Sequence, residues 1–263
     1  MLISVTIPVF NNNDGLKISL NSLLKQTYSN WEAVIVDDGS AIPVEEVVKS
    51  YKDDRMRLHT FSVNCGRPVA RQQTFKMISG QYGAFLDAGD SFDPNYLKNA
   101  VEIFSKNHQL LGVSQSMLIK YKKLVFSTNY NNVEIDVKDP EFEKVGFAST
   151  IFKSEICKGY TFNPHLKHSE DRPFLNYISA NYTGNIFTLN SHGYIYNQGN
   201  DNIKVATTFT KYYYDSMRSF LSGKTSEGIK SFAKAIFMPV LHVFFGYEKL
   251  LTMRYKKEKV CAE

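Results

Sequence analysis

A chain of 263 residues has room for one large α/β domain or two small ones, and its 43% hydrophobic and 14% aromatic content excludes a disordered polymer. The net charge of +5 is confined to the end: residues 1–206 carry 21 Lys and Arg against 21 Asp and Glu, and residues 207–263 carry 10 against 5. A neutral body argues against a general nucleic-acid binder. The three cysteines, Cys65, Cys157 and Cys261, are odd in number and share no metal-ligand spacing, which fits free thiols in a reducing cytoplasm.

The opening residues 1–8 have no basic leader region and read as a first strand rather than a signal peptide. That β-branched run continues to Phe10 and breaks at Asn11-Asn-Asn-Asp-Gly15. Leu16, Leu20, Leu23 and Leu24 then recur at helical spacing. Residues 31–36 form a second apolar strand that stops at Asp37-Asp38-Gly39-Ser40, and a helix follows over 43–51. A third strand is predicted over 57–61 and a helix over 69–79. The fourth strand, Ala84-Phe-Leu86, ends in Asp87-Ala-Gly-Asp90. The β-α-β-α-β-α-β order implies an α/β fold with a doubly wound, mostly parallel sheet flanked by helices. Ligands of such sheets bind at the carboxyl ends of strands, where Asp37, Asp38, Asp87 and Asp90 are expected. The plainer alternative for the last pair is a helix cap at Asp87 and a solvated Asp90.

Ile7-Pro-Val-Phe-Asn11, Val34-Ile-Val-Asp-Asp-Gly-Ser40, Ala70-Arg71 and Phe85-Leu-Asp-Ala-Gly-Asp90 occur in this order and spacing. As a set they resemble the amino-terminal half of a family 2 (GT-A fold) glycosyltransferase over residues 2–100. The resemblance implies that Pro8 and Phe10 line a nucleotide base and that Asp38 accepts a hydrogen bond from it. Asp37 is read as structural. Arg71 would lie near the base or pyrophosphate, its alternative being an ion pair with Asp38 or a solvated helix face. For Arg67 a ligand contact is left open. Asp87 would reach the ribose or the metal. The family pattern at this strand end is Asp-x-Asp, and Gly89 stands where the second Asp is expected. Mn²⁺ or Mg²⁺ held by Asp87 and Asp90 is the expectation, with Asp90 replacing the missing ligand.

Further along, residues 97–104 fit a helix, 111–121 and 124–128 strands, 129–145 an acidic polar excursion, and 146–152 an apolar strand. The second acidic centre is His168-Ser-Glu-Asp-Arg-Pro-Phe174, with Phe174, Tyr177 and Ile178 at helical spacing behind it. Glu170 and Asp171 at a helix start are ordinary capping acids. By resemblance, however, they match the family's Glu-Asp pair, with Asp171 the general base and Glu170 in support. His165, His168 and His192 are isolated histidines. The tyrosine-rich run 194–197 is expected to close the domain.

In residues 207–263 an apolar stripe from Ile229 to Phe245 is followed by Arg254, Lys256, Lys257 and Lys259. It predicts a basic amphipathic helical extension lying on a membrane surface, the alternative being packing on the protein. The expected organisation is a catalytic domain over 1–206, with nucleotide (1–100) and acceptor (101–206) halves, and a tail over 207–263. The expected function is inverting transfer from a nucleotide sugar, UDP-linked, to a glycan or polyprenyl-linked acceptor in surface polysaccharide synthesis. The site would be cytoplasmic, peripheral at the inner face of the plasma membrane. Two alternatives stand beside it: a non-catalytic nucleotide-binding relative, which Gly89 keeps open, and a nucleotidyltransferase, against which the acidic first loop counts.

Overall fold

The computed structural model describes residues 1–121, 124–166, 170–198 and 256–257. The chain divides into two compact units, 1–119 with 128–197, and 120–127 with 198–263. The first begins with β1 (Ile3–Val9), α1 (Asn13–Leu24), β2 (Trp31–Asp37), α2 (Glu45–Ser50), β3 (Met56–Thr60) and α3 (Arg67–Met77). It continues through β4 (Tyr82–Phe85), β5 (Ser91–Phe92) and α4 (Tyr96–Lys106) to β6 (Gly112–Tyr121). After β7 (Leu124–Ser127) come β8 (Val133–Asp136), a 3₁₀ turn (Pro140–Lys144), β9 (Thr150–Lys153), α5 (Ser154–Gly159), α6 (Asp171–Asn181) and β10 (Asn185–Gln198). In the second unit β11 (Lys256–Lys257) pairs antiparallel with β7.

The sheet of the first unit runs β6-β9-β4-β1-β2-β3. Strands β4, β1, β2 and β3 are parallel, with Ile3 opposite Trp31 and Tyr82. β9 runs antiparallel between β4 and β6, and β10 pairs with β5 and β8. Helices cover both faces of the parallel part, which is why β1 and β2 are apolar on both sides instead of alternating. One face packs Leu16, Leu20 and Leu23 of α1 and Leu97 and Phe104 of α4. The other gathers Phe75, Phe85, Phe147, Phe152 and Phe174 under α3 and α6.

One acid inside this core is fully partnered. Glu32 on β2 accepts from Ser4 Oγ at 2.5 Å, from Ser79 through its N–H and hydroxyl, and from Arg57 at 2.8 Å.

The mostly parallel sheet flanked by helices is present as expected, with helix and strand ends shifted by a few residues. The region 129–145 differs more: it holds β8 and the 3₁₀ turn, and Val137, Phe142 and Val145 are buried. Its few apolar residues fill the aromatic cluster, which a count of its acids does not reveal. The apolar run 146–152 becomes strand only from Thr150. The expected tail helix lies outside the described residues; of the basic residues expected to follow it, Lys256 and Lys257 form β11. Among the described residues no helix is long and apolar enough to cross a membrane.

Candidate active site

The carboxyl ends of β1, β2 and β4 converge on one rim of the sheet. At the end of β1, Pro8 is half-buried and Phe10 is 46% exposed, an apolar ring left in solvent above the strands. Asn11 ties this loop to the next by accepting from Ala41 N–H and donating its own N–H to Ser40 Oγ, both at 2.8 Å.

At the end of β2 the two aspartates divide. Asp37 is fully buried and accepts from the N–H groups of Ser40 and Val44, which shapes the turn into α2. Asp38 faces the other way and accepts from Cys65 N–H (2.7 Å), Gly66 N–H (3.0 Å) and Asn64 Nδ2 (3.1 Å). Asp38 therefore fixes the loop that enters α3. Gly39 has φ +71°, and a Cβ there would stand 2.4 Å from the Val63 carbonyl carbon, so the Asp-Asp-Gly-Ser turn needs its glycine for close loop approach.

Arg71, on the buried side of α3, is 7% exposed. Its Nη2 donates to both oxygens of Asp87 at 2.8 and 3.0 Å, and its Nη1 lies 3.3 Å from Glu170 Oε1. The partner is thus neither Asp38 nor solvent: one guanidinium links the end of β4 to the head of α6. Its Cζ sits 5.1 Å from the centre of the Phe147 ring. Burial would raise the Asp87 carboxyl, but Arg71, with Arg67 behind it, holds it below its usual range. Arg67 opens α3 with its side chain 60% exposed and approaches Glu170 Oε1 at 3.6 Å.

Asp90 is 4% exposed and turned inward. Its Oδ2 accepts from Tyr194 Oη at 2.5 Å and its Oδ1 from Asn197 N–H at 2.9 Å. Burial, and then the nearby Asp87 charge, push its carboxyl up to about 7. The Asn197 side chain also donates to the Gly89 carbonyl, and Ser19 Oγ donates to the Asp90 carbonyl while accepting from Gly89 N–H. Both carboxylate oxygens of Asp90, the expected second metal ligand, face β10, while those of Asp87 meet Arg71. Among the described residues no group of three His, Cys, Asp or Glu side chains could hold a metal ion.

Asp171 is the first residue of α6 and partly exposed. Its side chain has no hydrogen bond or ion pair among the described residues. Glu170 precedes it, 3% exposed, and its side chain makes no capping hydrogen bond. Capping does not account for that acid; its charge faces Arg71 and Arg67 instead. Phe174, one turn into α6, is fully buried against Phe75, Phe147 and Phe152, which fixes the helix head that carries Asp171. His165 is exposed, His192 contacts Asn129 Oδ1 at 3.1 Å, and His168 lies outside the described residues. Sequence reasoning missed the roles of Tyr194 and Asn197. The only sequence signal was the tyrosine-rich run itself, whose register against Asp90 depends on strand pairing.

The family model described as Glycosyl transferase family 2 matches residues 4–168. The chain belongs to this family. Over 107 residues it is 35% identical to the Escherichia coli UDP-Glc:alpha-D-GlcNAc-diphosphoundecaprenol beta-1,3-glucosyltransferase WfgD, covering 41% of this chain and 42% of that protein. Its whole length aligns at 25% identity with 43% of a poly(ribitol-phosphate) beta-glucosyltransferase of Bacillus spizizenii. The chain thus spans less than half of these curated relatives. Among solved structures, S. aureus TarS 1–349 superposes with a TM-score of 0.68 at 18% identity, over 97% of this chain and 76% of that one. A mannosyltransferase from Pyrobaculum calidifontis, solved with GDP-Man and Mn²⁺, superposes with a TM-score of 0.62 at 14% identity, over 96% of this chain and 79% of that one. The fold is that of the GT-A glycosyltransferases.

Proposed function

We propose that this chain is an inverting glycosyltransferase that moves a sugar from a nucleotide sugar to a hydroxyl of a glycan or polyprenyl-linked acceptor, with Asp171 as the base. The observation that carries this reading is the Asp171 carboxylate, without a partner among the described residues, at the head of α6 next to the Glu170–Arg71–Asp87 chain. A sugar hydroxyl is a weak nucleophile at neutral pH, so a positioned carboxylate must take its proton as it attacks. The acceptor oxygen bonds to the anomeric carbon, the bond from that carbon to the diphosphate breaks, and the nucleoside diphosphate leaves with the electron pair. A single displacement inverts the anomeric centre.

Phe10 and Pro8 supply a flat apolar wall for the base, and Asp38 stands beside it, holding residues 64–66 in place. Arg71 orients Asp87 toward the ribose. A UDP-linked donor is supported by the UDP-Glc in the name of WfgD and by the complexes of TarS with UDP and UDP-GlcNAc. A surface-polysaccharide acceptor is supported by WfgD and by the Bacillus poly(ribitol-phosphate) enzyme. The Mn²⁺ of the Pyrobaculum structure supports metal dependence in the fold group. The acidic loop of this chain does not fit the two-carboxylate site, and the steps above do not use a cation. Contact of residues 207–263 with the inner face of the membrane remains part of the proposal.

The test is hydrolysis and transfer with a panel of UDP- and GDP-sugars on wild type and Asp171→Asn. Release of one nucleoside diphosphate, reduced on the order of 10²–10⁴-fold by the substitution with nucleotide binding retained, is the expected result. Equal turnover in Asp171→Asn would remove that residue from the mechanism.

A further inference from the structure

Resting on the nucleotide-sugar reading above, we propose that this chain meets the donor's diphosphate with Arg67, and not with a divalent cation held by the acidic loop. A hard cation such as Mg²⁺ or Mn²⁺ needs several oxygen ligands, and protein sites for it are built from carboxylates that are free to face it. The Asp87-Ala-Gly-Asp90 loop leaves no carboxylate free in this way. Gly89 carries no side chain, although a Cβ there would meet nothing nearer than Asn12 Nδ2 at 3.6 Å, so packing does not exclude a ligand at that position. Its φ of +114° is a conformation that suits glycine, and the loop has settled into it. Asp90 is spent on Tyr194 and Asn197. Asp87 remains, but Arg71 donates to both of its oxygens and cancels the charge that would attract a cation.

The positive charge available to a ligand lies across the rim, on α3. Arg71 is buried and already balanced by two acids. Arg67, one turn earlier at the head of the same helix, is 60% exposed and makes no side-chain hydrogen bond among the described residues. Its nearest acid among the described residues, Glu170 Oε1, is 3.6 Å away, outside hydrogen-bond range, and that buried oxygen makes no hydrogen bond to a described residue. Glu170 thus holds the Arg67 guanidinium at the rim by charge alone, leaving its forked donor set free for a bidentate anion. The amides of Cys65 and Gly66 are taken by Asp38, so they do not compete for that anion. Arg67 approaches the same Glu170 Oε1 as Arg71, and Arg71 in turn holds Asp87, which puts Arg67 beside the carboxyl end of β4, where the diphosphate of a donor would lie.

The experiment is calorimetric binding of UDP and GDP, with uridine and guanosine as controls, to wild type, Arg67→Lys and Arg67→Gln, each in Mn²⁺ and in chelator. Wild type is expected to bind one nucleoside diphosphate with the same affinity, within about threefold, in both conditions. Arg67→Gln should weaken that binding about tenfold, the scale of one charge-assisted hydrogen bond, with Arg67→Lys between. Binding of the matching nucleoside should not change, which separates a diphosphate contact from damage to the base pocket. Binding that requires Mn²⁺, or is unaffected in Arg67→Gln, overturns the proposal and leaves the glycosyltransferase reading standing. If neither diphosphate binds in either condition, the nucleotide-sugar reading fails and this proposal with it.

Discussion

Tyr194 donates its hydroxyl to Asp90 Oδ2 at 2.5 Å across 104 residues of chain, joining the strand that closes the domain to the loop at the end of β4. The contact is buried, and Asn197 N–H completes it on the other carboxylate oxygen. Replacing Tyr194 by Phe removes one partner of a buried acid and should cost about 1–3 kcal/mol. Urea denaturation at pH 8 measures this, and an unchanged midpoint would show that the clasp carries no stability.

The same acid makes stability depend on pH in a definite direction. Asp90 rises from 3.8 to about 7, chiefly by burial, so the folded chain holds that proton more tightly than the unfolded chain. Its contribution is full below the unfolded value and is lost as pH rises through the folded one. The melting temperature of wild type should therefore fall relative to Asp90→Asn between pH 4 and about 7. Tyr194→Phe should move the step to higher pH, because the tyrosine hydrogen bond opposes the shift. Parallel curves for wild type and Asp90→Asn would contradict both expectations.

Glu32 behaves in the opposite sense. Burial would raise its carboxyl, but Ser4, Ser79 and Arg57 outweigh it and bring it down to about 2 from 4.5. This contribution is present above the unfolded value and disappears as pH falls toward 2. Glu32→Gln should destabilise the chain at pH 7 and flatten the acid limb of its stability curve, read by denaturation from pH 7 to 3.

Arg71 links the two acids, hydrogen-bonding Asp87 and pairing by charge with Glu170 at 3.3 Å. Arg71→Met should cost about 3–5 kcal/mol, because it leaves buried Glu170 without its nearer cation. Adding Glu170→Gln to that variant should recover part of the loss. A double-mutant cycle with no coupling would show that the two charges act independently.

Asp38 predicts a local effect. Asp38→Ala frees the amides of Cys65 and Gly66, so hydrogen exchange at both should accelerate while the β1 and β2 amides stay protected. Exchange unchanged at residues 65 and 66 would mean that the loop is held by something else.

The strands and helices of the first hundred residues were legible because each is a local pattern. Apolar runs such as 31–36 bury both faces, and Leu16, Leu20 and Leu23 repeat at the helical period whatever lies around them. Local chemistry also placed the aspartates at strand ends and Glu170 and Asp171 at a helix start. What each acid faces could not be read locally. Asp87 and Asp90 are three residues apart in a matching motif, yet one meets Arg71 and the other Tyr194, because the loop turns at Gly89 and β10 returns beside it. The sequence by itself determined the fold family and the set of charged residues. Tertiary structure alone decided which charges cancel and which stay open to a ligand, since pairing depends on distances between elements far apart in the chain.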